Sequence, residues 1–414
     1  MNDSQRNIFL GRQPILDRQK RIFGYELLFR AADTLHADID DISFAQTSVI
    51  SNVLSNFGIT AVLGKHKGFI NVTVDFLMND ILEILPVDKV VIELLETITV
   101  TESVLERCRE LKARGFLLAL DDNIYHPDYE PLYDIVDIVK IDILQIPPEQ
   151  VRKMVEILEN RNLTLLAEKV ETTQQFHDCL ALGFHLFQGY FFARPAVLNT
   201  KRADVAGATL LRLLQLVCAD AEIEEIEETF KHNPTLTYNL LRLVNSVVIG
   251  MKERIRTLRH ALVVLGMQQL KRWVQLALFA SQSVGGAGNP LLETAATRGR
   301  LMEILSSRQA AEIPGRDYSD SAFMTGVLSL IDVLLELPME EILDQLNLNE
   351  EVRRALISRE GHLGGLLLLT EKLENLHFSD MQKLLDESRC SIESLLEAQL
   401  AAIDWANRLD EVVS

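Results

Sequence analysis

The chain has 414 residues, a formal net charge of −19, and 48% hydrophobic against 24% charged residues. That length exceeds one ordinary core and predicts at least two domains, and the apolar content excludes a disordered chain. The acidic balance argues against a surface built for polynucleotide phosphates or anionic lipid, while leaving room for a small basic pocket.

The first fourteen residues lack the apolar core of a signal peptide. No apolar run reaches the roughly 18 residues that a membrane span needs, so a cytoplasmic location without membrane association is expected. Short runs rich in Ile, Val, Leu and Phe follow at 22–29, 68–73, 89–94, 116–120, 136–141 and 163–167. Each is bounded by turn or polar residues and reads as a buried strand. Helical patterns lie between them, as at 103–114 and 149–161. Such alternation predicts a parallel sheet wrapped by helices, and about 200 residues suit a TIM-like (β/α)8 barrel over 1–198.

Beyond residue 198 the texture is helical: 208–217, 236–244, 258–264, 267–280 and 298–312. The spacer 283–290 (SVGGAGNP) is a glycine-rich loop, and 361–365 is a second expected break. Residues 199–414 are therefore expected to form an all-α domain. The four cysteines, Cys108, Cys179, Cys218 and Cys390, form no CxxC pair, so reduced packing residues are expected rather than zinc ligands or disulfides.

Polar residues fall at the strand ends. Glu26 lies in the first run; Asn71, Glu93, Asp121, Asp122, Lys140, Glu168 and Gln188 end or follow the later ones. In a barrel those ends share one mouth. Carboxylates with an amide oxygen suit hard cations, Mg²⁺ or Mn²⁺. Two of them about 3.5–4 Å apart would activate water and hold a phosphodiester. Lys140 would orient water or stabilise phosphoryl charge, and Glu168 would bind metal or move a proton. The bland alternative, acids that cap the following helices, accounts for one such residue better than for the whole set.

On these residues the first half resembles the EAL domain of cyclic-di-GMP signalling proteins. YELLFR at 25–30 looks like E-A-L-L-R, FINVT at 69–73 like F-V-N-L-S, and ELLET at 93–97 like E-L-T-E-S. KID at 140–142, AEKVE at 167–171 and QGYFFARP at 188–195 resemble K-I-D, A-E-G-V-E and Q-G-Y-x-x-x-x-P. The resemblance implies metal-dependent hydrolysis of cyclic di-GMP to linear pGpG. It makes Glu26, Asn71, Glu93, Asp121 and Asp122 the metal positions and Lys140 and Glu168 catalytic. Arg30 and Gln188 would complete the ligand site. One departure is large. Where the family has the pair followed by F-G-T-G-Y-S-S, a loop that supports the metal site and a homodimer contact, this chain has DDNIYHPDYEP at 121–131. Both glycines are absent and two prolines stiffen the segment. His126 there is either a replacement contact, even a metal ligand, or a solvated loop residue.

The second half resembles an HDOD domain, through NPTLTYNLLRLVNS at 233–246 and IRTLRHALVVLG at 255–266. Ser329 and Leu330 stand where an active HD domain would carry its His-Asp metal pair, and His232, His260 and His362 show no ligand spacing. The resemblance implies a regulatory module that contacts a protein partner. Asn245 and Ser246 read as helix-to-helix contacts, residues 252–256 with Arg259 as a solvated basic strip, and Trp273 with Phe279 as core. Three functions follow: a cyclic-di-GMP effector with slow or regulated turnover, a fully active phosphodiesterase, or a scaffold without nucleotide binding.

Overall fold

In a computed structural model, residues 8–31, 59–122, 124–189, 205–247, 257–281, 289–312, 318–346, 348–374, 381–388 and 390–413 are described. Contacts divide the chain into two compact units. One holds residues 1–194 with 371–385 and 390–407; the other holds 195–370, 386–389 and 408–414.

The first unit is a closed eight-stranded barrel in sequence order. Its strands are β1 Ile8–Asp17, β2 Ile22–Ala31, β3 Lys67–Val72, β4 Val90–Leu94, β5 Leu117–Leu120, β6 Ile138–Asp142, β7 Thr164–Glu168 and β8 Leu186–Gln188. The six expected strands are present within two residues at each end. The sheet is not wholly parallel, however: β1 runs antiparallel to both β2 and β8. A two-strand hairpin through Arg18 to Lys20 opens the barrel, with Lys20 at φ 61° in its turn. Pattern reading passed over β1 because Arg12, Gln13 and Pro14 interrupt its apolar residues.

Two apolar layers result from the strand period of two. Ile15, Phe69, Val91, Ala119, Ile138, Leu166 and Leu186 fill the barrel interior. Their sequence neighbours, among them Leu16, Ile70, Val90, Ile92, Leu118, Val139 and Leu165, face the outer helices in a larger core. Glu102–Ala113 and Pro148–Leu158 are two of those helices. Thr101 caps the first by accepting from Val104 N, and Thr172 forms a capping box on Thr173–Leu182.

The helix Ile392–Val413 also contributes to this unit. Gln399 Nε2 donates to the carbonyl of Leu10 at 2.8 Å, and Asn407 Nδ2 to that of Ala61 at 2.9 Å. Leu400 packs on the outer core. The contact division thus places residues of the C-terminal helices with the barrel, although in sequence they follow the helical half.

The second unit contains helices only, among its described residues. Leu258–Ser281 is broken at Gly266 (φ 74°, ψ 158°), in agreement with the two separate helical patterns read there. The break expected at 361–365 is narrower. Gly361 (φ 74°) stands at the helix start, whereas Gly364 lies inside Gly361–Glu374. A Cβ on Gly364 would come within 2.2 Å of the Arg359 backbone, so that glycine serves close packing. Most of the spacer 283–290, the strip 252–256 and the side chains of Asn245 and Ser246 lie outside the described residues. No single helix among the described residues is long and apolar enough to cross a membrane.

Candidate active site

The barrel interior dictates where the polar residues go. Two positions beyond Phe69, Val91, Ala119, Ile138, Leu166 and Leu186 come Asn71, Glu93, Asp121, Lys140, Glu168 and Gln188. A step of two keeps each side chain on the inward face, one layer nearer the carboxyl ends. Six strands therefore deliver six polar groups to one mouth, and Glu26 joins them from β2.

Lys140 is the hub, with 1% of its surface exposed. Its Nζ lies 2.7 Å from Asp121 Oδ1, 2.9 Å from Glu168 Oε1 and 3.4 Å from Glu26 Oε2, and it pairs with Glu93 as well. Glu26 also accepts from Asn71 Nδ2 at 2.9 Å and from Gln188 Nε2 at 2.5 Å. The predicted residues Glu26, Asn71, Glu93, Asp121, Lys140, Glu168 and Gln188 thus form one connected group. Asp122 follows at φ 37°, a left-handed conformation. The side chain of Arg30 lies outside the described residues, as does the segment after Gly189.

Burial is the main influence on the acids' protonation. It pushes Glu93 well above the usual carboxylate range, against the pull of Lys140 and with reinforcement from Glu26 and Asp121. Burial likewise raises Asp121, and takes Glu168 to about 8. For Glu26 burial also acts upward, but the Lys140 ammonium and the hydrogen bonds from Gln188 and Asn71 outweigh it and leave the carboxyl low. Lys140 is held charged: burial disfavours the ammonium, yet the acids led by Glu26 and Glu93 drive it well above its ordinary range.

One ammonium among four acids leaves oxygens over. Asn71 Oδ1, Glu93 Oε2, Asp122 Oδ1 and Glu168 Oε2 are buried with no hydrogen-bond donor. Unpaired buried oxygens are costly unless a cation meets them. In addition, Glu96, Asp121 and Asp122 each bring a carboxylate oxygen within 4.8 Å of the others, a spacing that can hold a metal ion. An all-oxygen donor set fits a hard divalent cation.

Three contributors were missed in the sequence. Gln13 accepts from Gln188 Nε2 at 3.0 Å. Because β1 runs antiparallel, its mouth residue precedes the interior Ile15 instead of following it, so the rule that worked elsewhere pointed the wrong way. Glu96 carried a signal, as the second acid of ELLET. Lys169 pairs with the buried Asp142 and sits at φ 54°, where the similar motif has glycine.

The rewritten loop has its own fastenings. Tyr125 OH donates to Glu130 Oε1 at 2.6 Å, and Arg161 pairs with Glu130 and, at 2.7 Å, with Asp134. Tyr129 OH donates to the carbonyl of Glu96 at 2.9 Å, tying the loop to a residue of the acid cluster. His126 is exposed, with Nδ1 3.3 Å from Asp128 Oδ2. It is the solvated loop residue of the two readings, outside the acid cluster.

In the helical unit, Ser329 Oγ receives Arg298 Nη1 at 2.7 Å and donates to the Gly326 carbonyl at 2.7 Å. Both residues are buried, and Leu330 is 6% exposed. A buried guanidinium thus stands beside Ser329, the residue read in the sequence at the place of an HD metal ligand. His232 bonds the Glu228 carbonyl at 2.7 Å, His362 packs against Tyr318, and the exposed His260 is distant in sequence from both. Phe279 is fully buried, and Trp273 packs on Phe230.

Comparison with known proteins agrees with this architecture. The EAL domain family matches residues 3–195 and the HDOD domain family residues 208–362. The uncharacterized protein YuxH of Bacillus subtilis (strain 168) is 30% identical over 410 residues, covering 97% of this chain and 98% of its own. The cyclic di-GMP phosphodiesterase CdgJ of Vibrio cholerae serotype O1 is 30% identical over 418 residues, covering 99% and 95%. Among solved structures, a cyclic-di-GMP complex of the phosphodiesterase PaMucR is 21% identical, with a TM-score of 0.39 over 46% of this chain and 97% of that one. The chain belongs to the EAL-domain family, in the form that carries an HDOD domain after the barrel.

Proposed function

We propose that the barrel mouth binds cyclic di-GMP and hydrolyses it, slowly or under regulation, to linear pGpG with a divalent cation, Mg²⁺ or Mn²⁺. The observation that carries the reading is the set of buried, donor-less oxygens on Asn71, Glu93, Asp122 and Glu168 around the Lys140 hub. The full-length similarity to CdgJ supports the same substrate. Glu26, Asn71, Glu93, Glu96, Asp121 and Asp122 would hold the cations, which supply Lewis acidity at the phosphodiester and lower the pKa of water. Lys140 holds the acids in place and offers fixed positive charge. Glu168, kept partly protonated by burial, is placed to move a proton. Gln188, set by Gln13, fixes the orientation of Glu26, and Arg30 would meet a ligand phosphate.

The helical unit is the regulatory part in this reading, acting through contact with a protein partner, and the barrel is the part that would form a homodimer. The domain division at 198/199 belongs to the same reading. A second reading, binding without turnover, is favoured by the loop at 121–131, which Tyr129 and Pro127 hold in a shape of its own.

Purified chain incubated with cyclic di-GMP and Mn²⁺ or Mg²⁺ is expected to yield pGpG by chromatography, and the Glu26→Ala variant none. Micromolar binding in calorimetry without product would leave the effector reading. Neither product nor binding would leave only a scaffold.

A further inference from the structure

The helical unit contains a cavity of about 800 Å³, lined in part by Met267, Gln268, Lys271, Gln275, Phe323 and Asn349. Three helix starts converge on it. Gly266 breaks its helix, so a new one begins at Met267, and Met267 and Gln268 form its first turn. Asp320 and Ser321 belong to the first turn of Ser319–Leu328, whose N-cap, Tyr318, makes no side-chain capping bond. Asn349 is the N-cap of Glu350–Ser358. Each helix start directs backbone N–H groups and a partial positive charge outward.

Side chains add to that field. Lys271 Nζ is 3.6 Å from Asp220 Oδ1, a loose pair whose acid is 79% exposed. Arg272 spans Glu303 at 2.5 Å and Asp320 at 2.6 Å, and Gln268 also donates to Asp320. Asp320, the acid in the first turn of Ser319–Leu328, is thus paired within the wall. Gln275, 1% exposed, is the independent sign of a ligand: its Oε1 has no hydrogen-bond donor. Met267 and Met324, both partly exposed, provide apolar surface for a planar group.

We infer that this cavity binds a small phosphorylated molecule that also presents an N–H donor, of the size and kind of a mononucleotide. The phosphate meets the converging helix starts and Lys271, as anions commonly do at helix N-termini. The N–H group meets Gln275 Oε1, and the planar part lies against Met267 and Met324. The site is separate in sequence and in composition from the barrel mouth, and it gives the helical unit an input of its own.

Guanosine monophosphate is a suitable probe, with inorganic phosphate as competitor. Calorimetry on the full chain is expected to show guanosine monophosphate binding that phosphate displaces. Lys271→Glu should weaken it at least about tenfold, and Gln275→Leu should weaken it while leaving phosphate binding intact. Lys271 is partly exposed, so its variant tests the site without touching the core. Glu26→Ala, in the barrel mouth, should leave the binding unchanged. No binding heat at millimolar probe would overturn the inference. So would binding that survives Lys271→Glu but disappears in Glu26→Ala, because the probe would then occupy the barrel.

Discussion

Lys140 Nζ stands 2.9 Å from Glu168 Oε1, and the same ammonium is 2.7 Å from Asp121 Oδ1. A single buried cation thereby holds together acids delivered by separate strands of the barrel. Lys140→Met removes that cation and leaves like charges facing one another. Breaking a buried pair by deleting one partner costs about 3–5 kcal/mol. The variant is expected to melt well below the parent in EDTA and to recover part of the difference in Mn²⁺. Thermal unfolding with and without metal checks this; equal melting of the two proteins in EDTA would show that Lys140 is not the hub.

Glu168 sets a pH dependence. Burial raises its pKa from 4.5 to about 8. Between those values the unfolded chain has lost the proton and the folded chain keeps it, so stability falls as pH rises from about 4.5 to about 8. A divalent cation favours the ionised acid, so the stabilisation by Mn²⁺ should grow over the same window. Melting temperature against pH, with and without Mn²⁺, is the measurement. Glu168→Gln should reduce the metal-free slope, the remainder belonging to Glu93 and Asp121, which burial also raises.

Gly189 fixes the end of β8. It adopts φ 145°, and a Cβ there would lie 2.1 Å from the Val170 carbonyl oxygen. The neighbouring Gln188 carbonyl accepts from Val170 N at 2.9 Å. Gly189→Ala must therefore push the backbone that carries Gln188. A loss of about 1–3 kcal/mol is expected, together with weaker metal binding, because Gln188 orients Glu26. Urea unfolding and metal titration report the two effects separately.

The barrel depends on the end of the chain. Gln399 and Asn407 bond the carbonyls of Leu10 and Ala61, and a fragment of residues 1–198 lacks both. That fragment is expected to unfold at lower urea than the barrel in the full chain. Gln399→Ala with Asn407→Ala in the full chain should reproduce part of the loss, at about 0.5–1.5 kcal/mol per bond.

Arg298 is buried and bonds Ser329, the residue read in the sequence at the place of an HD metal ligand. Arg298→Ala removes the donor to Ser329 Oγ and is expected to lower the melting temperature, with no gain from added Mn²⁺. Arg298→Lys should recover only part, since an ammonium lacks the planar fork of a guanidinium. A metal-dependent rescue of Arg298→Ala would indicate that a cation site survives beneath the arginine.

The amino-acid sequence alone determined the barrel, the helical second half and most of the mouth. Strand period and interior residues such as Val91 and Ile138 place Glu93 and Lys140 two steps on, a relation that is local in the chain. The resemblance to the EAL family gave those residues a shared role. Tertiary structure decided what depends on direction and distance. The reversed sense of β1 brings Gln13 to Gln188 across 175 residues of sequence. Chain closure brings Gln399 to Leu10 across 389. The loop after Asp122 was legible only as a departure, since which carbonyl Tyr129 would reach is set by packing and not by pattern. The protonation of Glu168 was equally beyond the sequence, because desolvation exists only once the barrel has closed around the acid.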